Sequence, residues 1–133
     1  MSSVCITGVS RGIGLGLARG YLKEGWDVYG SIRNPDNDEV KKLARRYKEK
    51  FTIFTMDVSD YQSVRRGAAE VRELTDHIDV LINNAGINAG PDDPSIRDIS
   101  HRRMQDAFDV NVMGPLRCVQ EFLPLLEQSD GAR

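Results

Sequence analysis

Val4-Cys5-Ile6-Thr7-Gly8-Val9-Ser10-Arg11-Gly12-Ile13-Gly14 is the stretch on which the fold turns. Val4-Cys5-Ile6 is a short apolar run closed by Thr7-Gly8, the pattern of a strand buried on both faces. Beyond it, Leu17, Ala18, Tyr21 and Leu22 recur at helical spacing, and Gly25 is placed to close that helix. A turn with glycines spaced G-x-x-x-G-x-G therefore joins a buried strand to a helix. In such a turn one glycine permits the tight bend, another lets backbone approach a pyrophosphate, and the last lets helix pack on strand. The helix mouth offers free N–H groups and a positive dipole end to an anion. Gly8, Ser10, Arg11, Gly12, Ile13 and Gly14 are thus the candidate phosphate-holding residues. The common G-x-G-x-x-G spacing is not met, because Leu17 stands in the third glycine's place. A tight turn without a ligand is the competing reading of this motif alone.

Outward from this loop the pattern alternates. Asp27 to Ile32 is strand-like and Pro35 ends it, after which Val40, Leu43, Ala44 and Tyr47 mark an amphipathic helix. Phe51 to Met56 is a third strand. Ser59 with Gln62 has the spacing of a capping box, ahead of a helix through Val64, Ala68, Val71 and Leu74. Ile78 to Ile82 is a fourth strand. A loop from Asn83 to about Asp98 follows, stiffened by Pro91 and Pro94 and long for a mere connection. The last helix is expected to start at Ser100, a plausible N-cap, and to run unbroken to about Gln128. Strands alternating with crossover helices predict an α/β fold, a parallel sheet with helices on both faces, and right-handed crossovers leave few topologies; with the glycine loop the expectation is a Rossmann-type sheet of order 3-2-1-4. Residues 1–133 read as one dinucleotide-binding domain.

Composition narrows the function classes. The 133 residues are 40% hydrophobic and 29% charged with net charge -2, an ordinary globular balance without the basic excess of a nucleic-acid binder. The two cysteines, Cys5 and Cys118, have no metal-ligand spacing, and reduced structural thiols in the cytoplasm is the expectation. No run of apolar residues reaches membrane-spanning length.

Three further segments join the glycine loop in a resemblance to the short-chain dehydrogenases/reductases. Thr7-Gly8-x-x-x-Gly12-Ile13-Gly14 resembles that family's cofactor loop. Asp57-Val58 is similar to the pair that meets the adenine ring, and Asn83-Asn84-Ala85-Gly86 to the N-N-A-G motif after strand four. Asn111, in Asp109-Val110-Asn111-Val112, is similar to the asparagine of the catalytic tetrad. The resemblance implies cofactor-binding roles for Asp57, Val58, Asn83, Ala85 and Gly86, and a catalytic role for Asn111. It also implies hydride transfer between a nicotinamide cofactor and a small-molecule carbonyl/alcohol pair. It covers the whole chain but only about the first half of a family member. A flavodoxin-like or receiver domain shares the alternation but not these four motifs together.

The end of the second strand bears on the cofactor. A carboxylate there accepts ribose hydroxyls and favours NAD(H), whereas a cation meets the 2′-phosphate of NADP(H). The sequence reads Ser31-Ile32-Arg33, so NADP(H) is favoured, with Arg33 and Arg11 as the phosphate's partners. Asp36 and Asp38 fall at the start of the next helix, where acids suit the dipole.

In the last helix, Pro115 has no N–H for the carbonyl of Asn111, which predicts a kink and a freed main-chain oxygen. The resemblance implies that this asparagine holds a water leading to a catalytic lysine. No Tyr-x-x-x-Lys stands where the family places it: Tyr29 precedes Arg33 on a strand, and Tyr61 precedes Arg65 before the N-N-A-G strand. The chain reads as stopping short of a fifth strand, with strand four an unpaired edge. Phe108, Val112, Leu116, Val119, Leu123 and Leu126 would then share an exposed patch, so a homo-oligomer or a longer natural chain is expected. Turnover by these residues alone is not expected, and a non-catalytic dinucleotide-binding or sensor module is the alternative. His77 is expected to complement a helix end and Trp26 to pack. His101 reads as solvent-facing, with a substrate contact as the other possibility.

Overall fold

Period-two patterning sorts the side chains of the first strand between two cores. Along β1 (Ser3–Ile6), Val4 and Ile6 enter one buried cluster and Cys5 the other. The computed structural model describes residues 2–88, 90 and 95–133. In it β1 is followed by α1 (Gly12–Lys23), β2 (Asp27–Ile32), α2 (Asp38–Arg46), β3 (Phe51–Thr55), α3 (Tyr61–Leu74) and β4 (Val80–Ile82). The strands form one parallel sheet, as the alternation predicts, in the order β3-β2-β1-β4 expected of the Rossmann type. Leu15, Ala18 and Leu22 of α1 and Val40 and Leu43 of α2 cover the face holding Val4 and Ile6. Val64, Ala68 and Val71 of α3 cover the opposite face with Phe122 and Leu125. Trp26 packs edge-to-face on Tyr21, with ring centroids 4.9 Å apart. Gly25, at φ +83°, ends α1 as expected.

Four expectations need correction. The cap of α3 is Asp60, whose carboxylate accepts from the Gln62 and Ser63 amides. The Ser59 hydroxyl instead donates to Asp57 Oδ1 at 2.7 Å, because the tight turn after β3 brings that carboxylate nearer than the helix. The last helix is not unbroken: α4 (His101–Phe108) leads into a π-helical turn, Asp109–Met113, and then α5 (Gly114–Leu126). Ser100 does cap α4. A wider turn absorbs the donor that Pro115 lacks; the Gly114 amide reaches back five residues to the Asp109 carbonyl. The edge of β4 is partly paired, since Leu81 N–H donates to the Arg133 carbonyl and Arg133 N–H to that of Asp79. His77 lies beyond the α3 cap at Thr75 and contacts Asp76 and Asp79 rather than a helix end.

Both cysteines are free and buried. Burial drives both thiol pKa values up, that of Cys118 to about 12, so neither is a nucleophile. No helix among the described residues is long and apolar enough to cross a membrane. Pro91 and Pro94 lie outside the described residues.

Candidate functional site

The carboxyl ends of all four strands open onto a cleft of about 860 Å3, the position at which an open parallel sheet takes its ligand. Its floor is the turn between β1 and α1. The Gly8 amide donates to Ser31 Oγ at 3.2 Å and the Val9 amide to the Ser31 carbonyl at 3.0 Å, so β2 holds the loop from one side. From the other side Asn84 holds it: its Nδ2 donates to the carbonyls of Thr7 and Gly8 at 3.1 and 2.9 Å. Thr7 Oγ1 accepts from the amides of Asn84 and Ala85, both at 3.0 Å.

This clamp explains two glycines. A Cβ on Gly14 would lie 2.0 Å from the Gly8 carbonyl oxygen, so nothing larger fits where α1 crosses the loop. Gly8 sits at φ +74° against Ala85, which excludes a side chain twice over. The tightly held loop directs the start of α1 at the cleft. Arg11 at its N-cap is extended and makes no side-chain cap, whereas Asn37, Asp60 and Ser100 each cap the helix they precede. The first amides of α1 are therefore available to an anion.

Arg11 and Arg33 both line the cleft and are exposed, and among the described residues neither has an acidic partner. Nearby acids are drawn elsewhere. Asp36 pairs with Lys41 at 3.1 Å and Glu39 with Arg19 at 3.4 Å. Among the described residues, the cleft thus keeps two guanidiniums without an acidic partner beside a helix mouth.

Asp57 and Val58, past the end of β3, form a further wall of the cleft. Asp57 Oδ1 accepts from the amide and hydroxyl of Ser59 at 3.0 and 2.7 Å. The Val58 carbonyl accepts from Arg117 Nη1 at 3.1 Å, and the same guanidinium grips Asp109 through Oδ1 at 2.6 Å and its carbonyl at 3.3 Å. Arg117, only 17% exposed, therefore ties this wall to the π turn.

A second cavity of about 470 Å3 adjoins the first, sharing Arg11, Ala85, Gly86 and Ile87. Asn83 and Asn111 line it. Asn111 meets Ile87 on both sides, its Oδ1 accepting from the Ile87 amide and its Nδ2 donating to the Ile87 carbonyl, each at 2.8 Å.

The structure brings Gly8, Ser10, Arg11, Gly12, Ile13, Gly14, Arg33, Asp57, Val58, Ala85 and Gly86 to the larger cleft. It sets Asn83 apart, on the smaller cavity with Asn111. Sequence reasoning missed Thr7, Ser31, Asn37, Asn84 and Arg117 as the residues that hold the walls. Thr7 and Asn84 carried a signal, their places in the glycine-loop and N-N-A-G motifs.

The cleft fits an extended dinucleotide by its volume, its uncapped helix mouth and its two cations. The chain belongs to the short-chain dehydrogenase family, whose model matches residues 2–133. It is 29% identical over 136 residues to an NADPH-dependent 3-dehydrocapnine reductase of Ornithobacterium rhinotracheale, covering all of this chain and 46% of that one. Against a serine 3-dehydrogenase of Agrobacterium fabrum it is 30% identical, covering 97% of this chain and 50% of the other. The crystal structure of NADPH-bound carbonyl reductase from chicken fatty liver superposes with a TM-score of 0.85 at 33% identity, covering 96% of this chain and 52% of that one. The chain spans about half the length of the curated relatives it matches.

Proposed function

We propose that these residues form the adenosine and diphosphate half of an NADP(H)-binding site in a short-chain oxidoreductase acting on a small carbonyl/alcohol pair. The observation that carries this is the uncapped mouth of α1, opening onto a cleft whose two arginines have no acidic partner among the described residues. In this reading the amides at Gly12, Ile13 and Gly14 hold the diphosphate. Arg33 and Arg11 receive the 2′-phosphate, which NAD(H) lacks. Asp57 and Val58 form the adenine wall, and Ala85 and Gly86 the floor toward the nicotinamide side. Asn83 faces the smaller cavity and acts from there. The bound cofactor supplies the hydride.

Asn111 spends its side chain on Ile87, which leaves its main-chain carbonyl, without a donor in Pro115, to hold a water. The chain binds the cofactor but, lacking a Tyr-x-x-x-Lys pair at the family's position, does not turn over alone. The free, buried cysteines suit the cytoplasm. The exposed face of α4 and α5 suits a second copy of the chain.

Titrating the chain with NADPH and with NADH tests the proposal. Tighter binding of NADPH is expected, and Arg33→Glu should reverse the order. Equal or absent binding of both to folded protein would overturn it. Robust ketone reduction by the chain alone would overturn the non-turnover clause.

A further inference from the structure

We propose that Asn37 is a positioning residue for selection of the 2′-phosphate, because it fixes the spacing between the two loops that carry Arg11 and Arg33. The inference rests on the NADP(H) reading above and goes beyond it. One side chain does two jobs at once. Asn37 Oδ1 accepts from the Val40 amide at 3.0 Å and so caps α2. Its Nδ2 donates at 3.1 Å to the main-chain carbonyl of Ser10, 27 residues earlier and next to Arg11. The peptide that presents Arg11 is thereby tied to the segment that presents Arg33.

A cap alone needs only the first of these bonds. Serine or aspartate serves a helix N-terminus as well as asparagine does, but neither offers an amide donor. The second bond crosses between the strand-to-helix turns after β1 and β2. No other hydrogen bond among the described residues joins Ser10 or Arg11 to the segment 33–37. The segment is itself ordered toward this contact. Asn34 Oδ1 accepts from the Asp36 amide at 2.9 Å, and Lys41 holds the Asp36 carboxylate. Two guanidiniums grip one phosphate only at a fixed separation, since both the Coulomb energy and the hydrogen-bond geometry fall off within a few ångströms. Loosening the tie should therefore cost a ligand with a 2′-phosphate more than one without it.

The test measures dissociation constants for NADPH and NADH on the whole chain by nicotinamide fluorescence, in wild type, Asn37→Ser and Asn37→Asp. Serine keeps an acceptor for the Val40 amide and loses the donor to Ser10, and urea unfolding checks that α2 is still supported. The NADH-to-NADPH ratio of dissociation constants is expected to fall about fivefold in Asn37→Ser, the size of one net hydrogen bond. It should fall further in Asn37→Asp, which places a carboxylate against the Ser10 carbonyl. If the serine variant does not fold, the aspartate variant decides by the same ratio. A ratio unchanged from wild type, whether both constants move together or neither moves, overturns the proposal and leaves Asn37 a helix cap. A wild type that binds both cofactors equally overturns the NADP(H) reading, and this inference with it; a clear wild-type preference with an unmoved ratio overturns the inference alone.

Discussion

Asn84 and Thr7, 77 residues apart, are joined by two hydrogen bonds: Asn84 N–H to Thr7 Oγ1 at 3.0 Å and Asn84 Nδ2 to the Thr7 carbonyl at 3.1 Å. This contact makes the N-N-A-G segment a brace for the phosphate loop. Replacing Asn84 by Ala strands the part-buried carbonyls of Thr7 and Gly8. A loss of about 1–3 kcal/mol of unfolding free energy is expected, measured by urea denaturation. Asn83→Ala, at an exposed position, should change stability by less than about 0.5 kcal/mol.

Glycines in α1 should respond in opposite directions to the same substitution. At Gly14 an alanine Cβ would meet the Gly8 carbonyl at 2.0 Å, which forces the backbone apart. Gly14→Ala should lose about 2 kcal/mol or more and abolish NADPH binding. At Gly16 a Cβ meets nothing within 4 Å. Gly16→Ala should gain about 0.5–1 kcal/mol through helix propensity. Thermal denaturation of the two variants side by side checks both signs.

Arg117 should matter to both cavities. Its guanidinium satisfies the Val58 carbonyl and neutralises Asp109 while mostly buried. Arg117→Met strips the Val58 and Asp109 carbonyls of their donor and leaves a carboxylate that is 39% exposed, at an expected cost of about 1–2 kcal/mol. Asp109→Asn with Arg117→Met should recover part of that loss, which a double-mutant cycle measures.

The contacts of His77 imply a pH window. The hydrogen bond to Asp76, at 2.7 Å from Nδ1, raises the His77 pKa, and Asp79 adds to it. The same hydrogen bond lowers that of Asp76, while the Ser129 hydroxyl and Ser3 amide lower that of Asp79. The histidine's contribution is fully present below about pH 6.5 and is lost as pH rises through its raised value. The carboxylates contribute above about pH 3.9 and lose that contribution as pH falls through their lowered values. Melting temperatures from pH 3 to 9 should therefore plateau at about pH 4–6.5. His77→Gln should flatten the decline on the alkaline side and, because His77 is what lowers the Asp76 pKa, weaken part of the decline on the acid side.

Phe108, Val112, Leu116, Val119 and Leu123 are each 42–56% exposed along one side of α4, the π turn and α5. Leu126 does not share that exposure, because it packs against the core cluster of α3 and α5. Such a stripe favours self-association. Sedimentation should show a concentration-dependent dimer. Leu116→Lys should weaken it at least about tenfold, from the transfer energy of one leucine. A monomer at all concentrations would remove the homo-oligomer proposal.

Local patterning by itself determined the four strands, the three helices between them and the place of the phosphate loop. Period-two and period-3.6 repeats and the Thr7–Gly14 spacing act within a few residues and leave little choice of partner. Arg33 was legible too, because its place at a strand end follows from the strand. Tertiary structure alone decided which polar residues serve as braces. Asn37 and Arg117 stand in no motif, and Asn84 shows only by its place in N-N-A-G, until folding brings Ser10, Val58 and Thr7 within hydrogen-bond reach. The π turn was hidden for the same reason. A proline announces a lost donor, but not whether the helix kinks or widens; in the fold it widens at Asp109–Met113, where Asn111 is bonded to Ile87 and Asp109 to Arg117.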